Sequence, residues 1–82
     1  MDIPPIIHLT KNARTALSNN AVFTKQELIG LLDGYELEKT RKSIITWLKL
    51  NGYLYQSSDC RWRRTDKLDE LLADGVTEIQ TS

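Results

Sequence analysis

Reactive and covalent chemistry is scarce in this chain. It holds one cysteine, Cys60, and one histidine, His8. A lone cysteine closes no internal disulfide, and so few soft or imidazole ligands make no metal box. Only four glycines and two prolines occur, and no Gly-rich phosphate cradle or nucleophile–His–carboxylate set is among the motifs. No catalytic residue, no metal and no cofactor are therefore expected, and the chain is not read as an enzyme. Apolar runs last a few residues, far short of the roughly 20 that span a bilayer, so no membrane partner is expected. The start, Met1-Asp2-Ile3-Pro4-Pro5-Ile6-Ile7-His8, lacks the basic and apolar regions of a signal peptide. The expected location is cytoplasmic, with the fold held by its core alone. Net charge is missing too. Eleven Lys and Arg balance eleven Asp and Glu, which at face value argues against a polyanionic partner.

What is present fits one small domain. Apolar residues make up 40% and charged residues 27% of 82 positions, a soluble globular composition. Residues 2 to 18 read as a first helix. Asp2 is its candidate cap, Pro4 and Pro5 are tolerated in a first turn, and Ile6, Leu9, Ala13, Ala16 and Leu17 share one face. A start at Thr10 is the alternative boundary. Ala21-Val22-Phe23 reads as a minor strand. Thr24-Lys25-Gln26-Glu27 is a capping box that opens a second helix with Leu28, Ile29, Leu31 and Leu32 inward. A third helix is expected from about Glu36 to Leu50. Its buried stripe is Leu37, Ile44 and Leu48, flanked by Ile45 and Trp47; Leu50 is expected to touch the strands that follow. Residues 53 to 56 and 60 to 64 alternate as a hairpin, with Cys60 and Trp62 inward and Arg61 and Arg63 outward. A last helix covers about Asp66 to Ala73, and residues 76 to 82 read as a flexible tail.

The class is therefore α+β, mainly α, in the order helix, strand, helix, helix, hairpin, helix, with residues 1 to 75 as one domain. The run Ile45-x-x-Leu48-x-x-x-Gly52-Tyr53-Leu54, followed by a returning strand with Trp62, resembles the winged helix-turn-helix family over residues 6 to 64. That resemblance implies a winged-helix domain whose third helix enters a DNA major groove while the wing lies on the backbone or minor groove. The Asn and Tyr of the recognition helix and the paired wing prolines of Z-form-binding relatives are absent, so that activity is not carried over.

Division along the chain changes the meaning of its neutrality. Residues 1 to 38 carry three cations and five anions, a charge of −2; residues 39 to 67 carry eight and two, +6; residues 68 to 82 carry four anions only, −4. The positive block coincides with the third helix and the hairpin. On the helix the expected DNA contacts are Lys39, Thr40, Arg41, Lys42, Ser43, Thr46 and Lys49. Base reading falls mainly to Lys42, Ser43 and Thr46, whereas Arg41 lies nearer the buried flank and suits phosphate. On the wing they are Arg61, Arg63 and Arg64, with pairing to Asp66 as the alternative for Arg64. Thr24, at a helix N-terminus, is a further phosphate candidate. Trp47 and Trp62 read as core, and one of Tyr53 and Tyr55 as exposed. The expected function is double-stranded DNA binding by a small transcriptional regulator or architectural factor, with a homodimer or cooperative neighbour to supply specificity. The alternative is a protein-interaction module, such as an inhibitor or adaptor of mobile-element type, whose basic face docks on an acidic partner.

Overall fold

The computed structural model describes residues 3–81. Nine elements follow one another: β1 (Ile6–His8), α1 (Lys11–Asn19), β2 (Val22–Phe23), α2 (Lys25–Leu31), α3 (Glu38–Leu50), β3 (Leu54–Gln56), β4 (Trp62–Arg64), α4 (Asp66–Ala73) and β5 (Glu78–Gln80). They form a single α+β domain. Its helices and its two small antiparallel sheets, β1-β5 and β2-β4-β3, enclose one core. Among the described residues no helix is long and apolar enough to cross a membrane.

The largest departure from expectation is at the two ends. Residues 6 to 8 are a strand, and α1 starts after Thr10, whose hydroxyl accepts the Ala13 amide at 3.1 Å. The Asp2 cap falls outside the described residues. Pro4 and Pro5 donate no backbone hydrogen bond, and Pro5 disfavours a helical conformation at the residue before it. The β-branched pair Ile6-Ile7 then finds a partner some seventy residues away. Ile7 lies opposite Ile79, and both are buried. The segment expected to be a loose tail thus contains β5. Its strand period is too short to see in sequence, because one inward residue, Ile79, carries it.

The middle of the chain follows local rules. The Thr24–Glu27 capping box is present in both directions at the start of α2. Helix α3 starts two residues later than expected. Leu37 takes the extended cap position instead of the core stripe, and its side chain is 68% exposed. Ile44, Ile45 and Leu48 face inward. The helix ends in paired bonds, from Gly52 N–H to the Lys49 carbonyl and from Tyr53 N–H to the Leu48 carbonyl. Gly52 sits at φ +82°, a conformation glycine adopts without a Cβ clash. This cap turns the chain straight into β3.

In the three-stranded sheet, Phe23 lies opposite Trp62 and Leu54 opposite Arg64. Phe23, Trp62 and Leu54 are buried against the helices. The other face carries the row Val22, Arg63, Tyr55. The hairpin turn runs further along the chain than the alternation suggested, with β4 starting at Trp62. Cys60 is exposed at φ +65° and lies outside β4. It occupies the left-handed position that closes a short hairpin, not an inward strand position beside Trp62.

Candidate nucleic-acid interface

The outward face of α3 follows from its core face. With Ile44, Ile45 and Leu48 buried, a rotation of 100° per residue sets Lys39, Ser43, Thr46 and Leu50 opposite them. Lys42 and Lys49 lie on one flank, and Trp47 and Thr40 on the other. Lys39, Lys42, Thr46 and Lys49 are exposed, while Thr40 and Ser43 are half-buried. A groove of about 500 Å³ runs along this face. Glu38, Lys39, Lys42, Ser43 and Thr46 border it together with Trp47 and Leu50, and Ile3 joins it from the arm before β1.

The cations are employed differently. Lys42 meets Glu38 at 3.6 Å, one helical turn away, with both side chains well exposed; such a pair contributes little and exchanges readily for another anion. The Lys49 ammonium lies 5.8 Å from the centre of the Trp62 ring, which brings the end of α3 against the hairpin. Arg61 pairs with Asp59 at 3.7 Å in the turn. Arg63 is half-buried beside Tyr55, and its side chain makes no hydrogen bond or ion pair among the described residues.

Two expected contacts turn inward. Arg41 donates to the carbonyls of Tyr35 and Ile29, the latter at 3.2 Å, and so ties the α2–α3 connection to α3. Arg64 donates to the carbonyls of Leu17 and Ser18, where a cation meets the negative end of α1. Its ion pair is with Asp69 at 3.2 Å, one turn further along α4 than the expected Asp66. Both guanidiniums are thereby committed to main-chain carbonyls of the fold rather than turned to solvent. Thr24 likewise is engaged: its helix start already holds the Glu27 carboxylate.

The turn of the hairpin is built around Asp59. Its carboxylate accepts from the Ser57 hydroxyl and from the Arg61 amide. These two bonds, the Ser57 bond first, hold its pKa below the usual aspartate value.

Sequence reasoning passed over three contributors. Leu50 does not reach the strands and is 76% exposed; its helical angle, opposite the core, was the available signal. Ile3 lines the groove from the segment that precedes β1. Tyr55 is the exposed tyrosine, 47% accessible and directly across from Arg63, while Tyr53 stacks on Trp47 at 5.8 Å. Lys67 covers the other tyrosine, with its ammonium 4.5 Å from the Tyr53 ring centre. The surface thus combines exposed cations, hydroxyls and a small apolar patch, a set suited to phosphates and base edges. No family model, curated protein or solved structure matches the chain.

Proposed function

We propose that this chain is a winged-helix-type domain that binds double-stranded DNA, with α3 as the recognition helix and the β3–β4 hairpin as the wing. The observation that carries the reading is the direction of the charge. Lys39, Lys42 and Lys49 lie on the outer half of α3, and Arg61 and Arg63 on the neighbouring hairpin, where they outnumber the Glu38 and Asp59 carboxylates that pair with Lys42 and Arg61. The order of short strand, two helices and hairpin supports it as well. An α-helix fits the major groove, and cations on phosphates displace condensed counterions.

In this reading Lys42, Ser43 and Thr46 face the bases. Lys39, Lys49, Arg61 and Arg63 hold the backbone, and Arg41 and Arg64 keep the two elements in position. The role is non-enzymatic, transcriptional or architectural, in the cytoplasm, where an exposed unpaired Cys60 is at home. One small module reads a short site, so a second copy or a neighbour on adjacent DNA completes recognition.

The test is binding to random duplexes across a salt series. With four or five phosphates neutralised, log affinity falls against log salt with a slope of about −4. Charge reversal at Lys42 and Arg63 flattens that slope. Absence of duplex binding at low ionic strength overturns the reading. In that event the exposed Leu50, which borders the groove with Lys39 and Lys42, favours the other reading, an acidic protein partner with an apolar anchor, and retention of one such partner in a pull-down supports it.

A further inference from the structure

The groove on α3 has an apolar centre that a purely phosphate-binding surface does not need. Leu50 is more exposed than any other large apolar side chain among the described residues, at 76%. It stands on the same line of the helix as Lys39, Ser43 and Thr46. Trp47 and Ile3 also border the groove. Thr46 joins this patch rather than the polar rim. Its hydroxyl donates back to the Lys42 carbonyl at 3.1 Å, so its proton is taken, and what it offers a partner is its methyl and an accepting oxygen.

In the major groove of DNA the C5 methyl of thymine is the apolar group that projects from the base edges, among donors, acceptors and the flat C–H of cytosine. The ammoniums at the rim fit the flanking phosphates and guanine edges by charge. We infer that the Leu50–Thr46–Trp47 patch is a thymine-methyl reader, which makes Leu50 a specificity-determining residue of α3. This inference rests on the duplex-binding reading above.

The experiment first enriches duplexes from a random pool. Each thymine of the enriched site is then replaced singly by deoxyuridine, which removes the methyl and leaves the hydrogen-bonding edge intact. Affinities are measured by fluorescence anisotropy. For the wild-type chain, loss of one buried methyl weakens binding about four-fold at one or two positions. Leu50→Ala, at an exposed position that leaves the melting temperature unchanged, binds the thymine and deoxyuridine duplexes equally and keeps the salt slope. A selected pool without enriched thymine overturns the inference. So does equal wild-type binding at every replaced position, or discrimination that survives in Leu50→Ala. Each of these leaves duplex binding itself standing, whereas recovery of no duplex at low salt overturns both.

Discussion

Arg41 and Arg63 belong to the same basic block and have opposite employments. Arg41 is folded back onto two carbonyls at the α2–α3 connection, as Arg64 is onto the end of α1. Arg63, on the open face of the sheet, has no such bond among the described residues, and the exposed ion pairs of Lys42 and Arg61 are loose. A cation near a sheltered carbonyl does structural work that solvent cannot replace, because an orphaned carbonyl keeps its desolvation cost. A cation over open surface contributes little to folding and is available to a partner. Net charge and charge per segment miss this division; only direction separates the two groups.

The sharpest way to break the comparison is Arg41→Ala. Loss of two charge-assisted bonds should destabilise the domain by about 2–3 kcal/mol in urea unfolding, while the folded fraction binds duplex with unchanged affinity. If stability does not move, the inward group is not structural. The double variant Lys42→Glu, Arg63→Glu should do the reverse. Its stability changes by no more than about 0.5 kcal/mol, and its duplex affinity falls at least about ten-fold, with a shallower salt slope. A smaller effect is expected at the turn that presents Arg61. Cys60→Gly removes a side chain from the left-handed region and should raise stability by about 1 kcal/mol in thermal melts, with the hairpin hydrogen bonds retained.

The smallest effect concerns pH. The lowered pKa of Asp59 means that its ionised form is favoured in the folded turn. That contribution is present above the unfolded value near pH 4 and is lost as pH falls through the lower folded value. Amide shifts of Ser57 and Arg61 should titrate together at that lower pH, and Asp59→Asn should abolish the titration.

Local signals made the centre of the molecule legible. The Thr24–Glu27 box, the Asn51-Gly52 stop and the Ile44–Leu48 stripe each act within a few residues, and each is found where the pattern put it. Leu37 was misread because periodicity alone does not show where a helix begins. The inward turns of Arg41 and Arg64 were misread for a different reason. Their carbonyl partners lie 12 and 47 residues away along the chain, and nothing in local spacing reports such a distance. The β1-β5 sheet was invisible on the same ground, since each strand is three residues long with a single fully buried side chain.

That sheet also ties the two ends of the described chain together. Its closure joins residues 6–8 to residues 78–80, so its entropy of ring closure is the largest in the fold. The buried Ile7–Ile79 pair and the bond from Leu9 N–H to the Thr77 carbonyl offset that cost. The bond from Thr81 N–H to the Pro5 carbonyl anchors the arm whose Ile3 flanks α3. The pairing of the two chain ends thus holds in place, through a few residues, the rim of the surface that meets DNA in the proposed function.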